Sequence, residues 1–435
     1  MRTIEDLAAV RAHEFKRLDA RRIAYLDYTG AALYPASLVR RDQRRLTEQV
    51  LGNPHSESAP SLASTREIER ARQLTLRFFD ADPTDYEVIF TANASGAIRI
   101  LAESFPFDSG SRLILTADNH NSVNGLSVAA CRRGASVEYL PLDGELRANN
   151  AAASLPAARA PSLFAFPAQS NFSGVRHPLE WVSQAQQAGY HVLLDAAAYV
   201  PTSPLSLHSV PADFVALSFY KMFGYPTGVG ALLARREALQ LLERNYFAGG
   251  TVQFVSVQNR MVRAKRGAEA FEDGTPSFLA MPAVCDGLRW LGQLGMRHVA
   301  RHVGRMTQEL LDRLLSLRNH IVIHGPRDMH ARGGTSAFNL LRNGSVLPYE
   351  QIEVAARESG IAIRGGCFCN PGASEHAFDI PADRAATCIS DEFSIPGFRA
   401  CLGDIPVGAV RASVGLPTNT EDLDRLHELL VRLTE

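Results

Sequence analysis

A chain of 435 residues is too long for one small core and suits a large domain joined to a smaller one. Its formal net charge of -1 argues against nucleic acid or an anionic membrane as the main partner, since the overall field would draw neither. No apolar run approaches the roughly 20 residues of a membrane helix, and the opening MRTIEDLAAVRAHEF is acidic where a secretory signal would be apolar, so a cytoplasmic protein is expected.

From about residue 86 to 234, short apolar or β-branched runs alternate with helical stretches. The runs EVIFTA, RLILTAD, SVEYL, SLFAFPA, YHVLLDAA, DFVALS and GVGALLA read as strands, and SGAIRILAES, NSVNGLSVAACRRG and PLEWVSQAQQAG as helices. That alternation predicts an α/β fold with a mostly parallel sheet, whose ligands bind at the carboxyl ends of the strands. LRANNAAASLPAARAP is expected to be a surface connection. Beyond about residue 280 long helices follow, MPAVCDGLRWLGQLG and VARHVGRMTQELLDRLLSL, then short strands and a closing helix, TEDLDRLHELLVRL. This is read as a smaller α+β domain over 280–435, with 25–279 forming the large domain and 1–24 packing on the small one.

The chain has only three lysines, and Lys221, in SFYKMFGYPTG, stands among apolar and aromatic neighbours at the end of a strand. A buried ammonium costs several kcal/mol unless it is paired, neutralised or covalently used. A neutral amine is what bonding to an aldehyde cofactor requires. A lysine that snorkels from a strand end is the plainer alternative. Three further features fall at strand ends. In TANASGAI, Ala94, Ser95 and Gly96 open a helix whose free amides suit a phosphate, or serve simply as a cap. His120, in TADNHNSV, offers a flat ring that could stack on a heteroaromatic cofactor, or a structural histidine. Asp195, closing YHVLLD, offers a carboxylate that can hold a pyridinium nitrogen protonated, or a cap on the following AAAY. Four such coincidences in strand order favour a cofactor site.

The six cysteines include no CxxC pair, which speaks against a zinc ribbon or a disulfide scaffold, and no metal site is expected. Cys367 and Cys369 fall in GIAIRGGCFCNPGA, read as a flexible loop rich in Gly365, Gly366 and Gly372 that lets a thiolate swing, with Arg364 nearby to favour the thiolate. A pair of buried structural cysteines is the alternative.

With these motifs in hand, the chain resembles pyridoxal-phosphate enzymes of the class V aminotransferase group, from YLDYTGAAL at residue 25 through GNPHS to VRASVGLPTNTEDLDRL. More narrowly it resembles the cysteine desulfurases. CFCNPGA, SFYKMFGYPTG and PAQSNFSG are most similar to the amino-terminal half of molybdenum cofactor sulfurases, and Tyr220 stands where ordinary iron-sulfur desulfurases carry a histidine. The resemblance implies the pyridoxal-phosphate fold type I, with Lys221 bonded to the cofactor, Asp195 at its pyridine nitrogen and His120 stacked on its ring. It places Asn171 at the phenolic oxygen or the substrate, and Ala94, Ser95, Ser218 and the neighbouring Tyr220 around the cofactor. Thr251, in YFAGGTVQF, would complete the phosphate site of a partner subunit, which implies a homodimer. Arg411, with Arg364 as a second candidate, would bind the substrate carboxylate. Lys221 would move protons and Cys369 would take the sulfur of L-cysteine as a persulfide, releasing L-alanine. The acceptor would be a separate protein or a molybdenum cofactor enzyme. The sulfurases also carry a further carboxy-terminal cofactor-binding domain, which this chain, stopping at Glu435, is expected to lack. Ser374 stands where those sequences often have a third cysteine. Two other readings stay open: an aminotransferase, epimerase or lyase, selenocysteine lyase included, in which Cys369 is incidental; and a non-catalytic scaffold or sulfur carrier.

Overall fold

The computed structural model describes residues 7–389, 392, 394–403 and 405–435. The largest sheet has seven strands: β1 (Tyr86–Thr91), β2 (Arg112–Thr116), β3 (Ser136–Leu140), β4 (Leu163–Pro167), β5 (His191–Asp195), β6 (Phe214–Ser218) and β7 (Gly230–Arg235). Each of the seven apolar runs supplies one of them. Their order is β1-β7-β6-β5-β4-β2-β3. All neighbours are parallel except those of β7, which runs antiparallel to β1 and β6. The sheet is therefore mixed but mostly parallel.

Strands β4 and β6 are buried along their whole length, which is why they read as unbroken runs, LFAFP and FVALS. Successive side chains enter opposite layers. Leu163, Ala165, Phe214 and Ala216 face one hydrophobic cluster, while Phe164, Phe166, Val215 and Leu217 face the other. At the edge, β3 (SVEYL) has no buried residue. The helix Ala94–Ser104 follows β1 and is capped by Asn93, whose side chain accepts from Gly96 N. NSVNGLSVAACRRG forms two helices, Asn121–Asn124 and Leu126–Arg132, that meet at Gly125.

A hairpin, β8 (Val252–Ser256) and β9 (Met261–Ala264), follows, and neither strand has a buried residue. The helices Met281–Leu294 and Met296–Ser316 lead into a second sheet of β10 (Ile321–His324), β11 (Thr335–Arg342), β12 (Arg364–Gly366) and β13 (Ala409–Ser413). Its order is β10-β11-β13-β12, antiparallel throughout. Near the amino terminus, Arg11 of the helix Leu7–Glu14 reaches Asp422 at 2.6 Å, so that segment is tied to the closing helix Thr420–Thr434.

Two features depart from the sequence reading. The segment 146–161 has no helix or strand, yet Leu146, Ala148, Ala151 and Ala152 are buried. Their small apolar side chains plug the clusters, so this is a packed connection and not a surface one. A disulfide joins Cys388 to Cys401, 13 residues apart, a pairing the sequence reading did not propose. No helix among the described residues is long and apolar enough to cross a membrane.

Candidate active site

A cavity of about 130 Å³ opens where β1, β2, β4, β5 and β6 end. Ala94, Ser95, His120, Asn171, Asp195, Ser218, Tyr220 and Lys221 all line it. The parallel strands make this convergence: each run ends at the same rim, so residues far apart in sequence arrive as neighbours.

Lys221 sits in the short helix Phe219–Phe223, directly after β6. Burial pulls its pKa down from the usual lysine value, Arg411 and Arg364 push the same way, and Asp195 opposes them. Asp195 is 8% exposed, and its Oδ1 accepts from Ala197 N at 3.0 Å, so it both lines the cavity and caps the turn after β5.

At another wall, the helix Ala94–Ser104 begins. Ala94 N donates to Ser218 Oγ at 2.8 Å, and the hydroxyls of Ser95 and Ser122 meet at 2.6 Å. Hydroxyls clustered at the positive end of a helix form a cradle for a phosphate. His120 Nδ1 accepts from Ser122 N at 3.1 Å. A backbone N–H can only donate, so in the neutral ring the proton is on Nε2. Burial lowers the pKa of His120, Asp195 raises it, and Lys221 and Arg411 lower it further.

The cysteine segment corrects the picture of a mobile glycine-rich loop. Arg364–Gly366 is strand β12 and a helix occupies Pro371–Ala377, which leaves only 367–370 as a connection. Asn370 N donates to Cys367 O at 3.0 Å, and Phe368 and Cys369 have φ of 57° and 56°. Two positive φ values inside such a bond define a type I′ turn. Its backbone is anchored throughout: Asn121 N donates to Cys369 O at 2.7 Å and Asn171 Nδ2 to Phe368 O at 2.7 Å. Asn370 Nδ2 bridges Asp118 O at 2.7 Å and Asn171 Oδ1 at 2.9 Å. Gly372 serves close packing, since a Cβ there would collide with the carbonyl oxygen of Ala117. The turn thus fixes the cysteine's place, while the thiol of Cys369 is free and exposed.

Arg411, on β13, is 2% exposed and donates to Asn171 O at 2.9 Å and to Asp27 Oδ1 at 3.0 Å, with its guanidinium 4.7 Å from the Phe368 ring centroid. Arg364, read as a neighbour of the thiolate, lies within electrostatic reach of Cys369 and is bonded to Asp27 through Nε and Nη2. Neither arginine lines the cavity. Arg411 is packed behind Asn171 and the Phe368 ring, whereas the Arg364 side chain is half exposed. Thr251 is also away from it, its hydroxyl bonded to Ala248 O at 2.9 Å in its own turn. The sequence reading passed over Gln169 and Ser122, which line the cavity, and Asn370 and Asp27, which organise what surrounds it. All four lie inside motifs already singled out, PAQSNFSG, TADNHNSV, CFCNPGA and YLDYTGAAL. Membership of a motif was their only signal.

Residues 24–426 match the model of the class-V aminotransferase family. Molybdenum cofactor sulfurase of Bos taurus is 37% identical over 96% of this chain and 50% of its own length, and that of Arabidopsis thaliana 34% over 98% and 58%. The chain therefore spans about half the length of these curated relatives. Among solved structures, a cysteine desulfurase from Thermococcus onnurineus superposes with a TM-score of 0.82 at 23% identity, covering 100% of this chain and 99% of that one. One from Escherichia coli gives 0.78 at 22% identity, covering 100% of both. At such identities the structural likeness speaks for the fold alone. The family match takes in every element that builds the cavity and the cysteine turn beside it, and the chain belongs to the class-V aminotransferases.

Proposed function

We propose that this chain is a pyridoxal-phosphate-dependent cysteine desulfurase, which converts L-cysteine to L-alanine and holds the sulfur as a persulfide on Cys369 for a sulfur acceptor. The observation that carries the reading is one juxtaposition. A half-buried lysine, a carboxylate, an imidazole and a hydroxyl cradle line one cavity, and a free cysteine thiol is presented on a turn bonded to the same strand ends. An amine, an acid and a phosphate cradle answer the aldehyde, the ring nitrogen and the phosphate of pyridoxal phosphate, so the donor set fits that cofactor.

When bound, the cofactor would supply an electron sink for charge released at the substrate's α-carbon. Lys221 would hold it through Nζ, Asp195 would face its ring nitrogen and His120 its ring. Ala94, Ser95 and Ser218 would take the phosphate, and Asn171 and Tyr220 would border the ring. Freed as a neutral amine, Lys221 Nζ removes the α-proton, a role its lowered pKa suits. Arg411 pairs with the substrate carboxylate, Arg364 supports it, and Asn171 holds the geometry between them. The Cys369 thiolate then attacks the substrate sulfur. A sulfur–sulfur bond forms as the substrate's carbon–sulfur bond breaks, the electron pair left on the β-carbon takes a proton, and Lys221 Nζ returns the α-proton, giving alanine.

Cys369→Ala is expected to bind cysteine and perturb the cofactor spectrum while releasing no alanine; normal alanine release from that variant would remove the cysteine from the reaction. Lys221→Ala should lose the absorbance of the lysine-bound cofactor, and a variant that kept it would overturn the assignment.

Likeness to the molybdenum cofactor sulfurases favours a molybdenum cofactor enzyme or a carrier protein as acceptor. Incubating the persulfidated enzyme with a desulfo molybdenum hydroxylase, and assaying that hydroxylase, tests the first. A homodimer in which Thr251 serves the other subunit's phosphate site is part of the reading. The bare hairpin supports it, with Phe254, Val257 and Met261 exposed at 58%, 87% and 61%. A cytoplasmic setting is part of the reading because it keeps the Cys369 thiol free, and the Cys388–Cys401 disulfide counts against it.

A further inference from the structure

Behind Asn171 one carboxylate holds two guanidiniums. Asp27 Oδ1 accepts from Arg411 Nη2 at 3.0 Å, and Asp27 Oδ2 accepts from Arg364 Nη2 at 2.7 Å and Nε at 3.1 Å. The arrangement is built in. Asp27 bridges to Ser413 beside β13, and Gly30 leaves room for the pair, since a Cβ there would stand 2.7 Å from Arg364 Nη2 and Asp27 Oδ2. Tyr25 is the near hydroxyl; burial and then Asp27 push its pKa up to about 12, so it stays neutral. The cluster therefore keeps one positive charge in excess. Arg411 also keeps an unmade bond: with Nη1 on Asn171 O and Nη2 on Asp27, its buried Nε has no partner among the described residues. A buried guanidinium donor without an acceptor is destabilising.

We propose that Asp27 is a specificity-determining residue: by neutralising one of the two arginines it leaves charge for a single carboxylate, and so selects amino acids with an uncharged side chain over those with a second negative charge. This rests on the desulfurase reading for its substrate, L-cysteine, whose thiol form is neutral. With both arginines unopposed, the same site would draw a dianionic amino acid. With Asp27 in place, a second negative group meets a carboxylate whose partners are already taken.

L-asparagine and L-aspartate, which match in shape and differ in charge, measure this directly. Their dissociation constants for the pyridoxal-phosphate-loaded protein are read from the change in cofactor absorbance, without turnover. The wild type should prefer asparagine. Asp27→Asn should shift the ratio of the two constants towards aspartate by about tenfold, and Arg364→Gln, which removes one positive charge from a half-exposed side chain, away from aspartate by a similar factor. Ratios within about twofold of wild type in folded variants would overturn the proposal. Should Asp27→Asn fail to fold, Arg364→Gln decides by itself. Alanine release from cysteine is assayed separately: its absence sinks the desulfurase reading, whereas an unchanged ratio sinks only the role of Asp27.

Discussion

Cys369 and the residue before it occupy backbone conformations that L-residues avoid, with φ of 56° and 57°. Each such residue stores on the order of 1–3 kcal/mol, which persists only where the surroundings over-determine it. Here the surroundings are the hydrogen bonds from Asn121, Asn171 and Asn370 and the Arg411 guanidinium over Phe368. These bonds hold the backbone of the turn in a conformation that a freer peptide would leave. Glycine alone adopts this φ without steric penalty. Cys369→Gly is therefore expected to be more stable than Cys369→Ala by about 1 kcal/mol in urea unfolding, with both lacking persulfide. Equal stabilities would mean that the turn is relaxed. Lys221 teaches the complementary lesson: its isolation among apolar residues was visible in the sequence, because a buried amine is conspicuous wherever it stands. Asp27 was not. Its significance depends on Arg411, which lies 384 residues away in the chain.

At the scale of elements, the strands were the most legible part. Strands buried on both faces must be unbroken and apolar, and β4 and β6 are. The cysteine segment was misread for a physical reason. Glycine signals freedom in isolation, yet close approach also demands it, and Gly372 is there because the helix Pro371–Ala377 presses on Ala117. The alanines of 146–161 misled in the same way, since small residues fill narrow gaps as readily as they cover surface. Asn370 joins the elements, its Nδ2 on Asp118 O and Asn171 Oδ1 and its Oδ1 capping Ala373 N at 3.2 Å. Asn370→Ala leaves these groups unsatisfied in a fully buried position, so a loss of about 2–4 kcal/mol is expected in urea unfolding. Alanine release should fall while the cofactor is retained, because the turn loses its register but Lys221 does not. A variant with unaltered turnover would show that the turn holds without its clamp.

For the whole molecule, stability should depend on pH through buried histidines. His302, in the helix Met296–Ser316, donates Nε2–H to Thr418 O at 3.0 Å, and burial lowers its pKa to about 4. An unfolded histidine titrates near 6.5, so between those values the unfolded chain binds the extra proton. Stability is then full above about 6.5 and falls as pH drops towards about 4, by roughly 3 kcal/mol from this group. His120 and His324 shift in the same direction, also through burial first. His302→Gln, which keeps a donor for Thr418, should flatten the fall in urea midpoint between pH 7 and about 4.5 relative to wild type. An identical slope would place the acid sensitivity elsewhere.

What the sequence determined by itself was the set of apolar runs, the residues that end them and the motifs that carry the family likeness, because burial on both faces and a solitary lysine leave marks in local composition. What only the tertiary structure decided was which groups meet: Asp27 with two arginines, Asn370 with two strand ends, the cysteine turn with its anchors. Those pairings come from strands that run parallel and end at one rim, and sheet order is settled by packing between distant segments rather than by any stretch of chain.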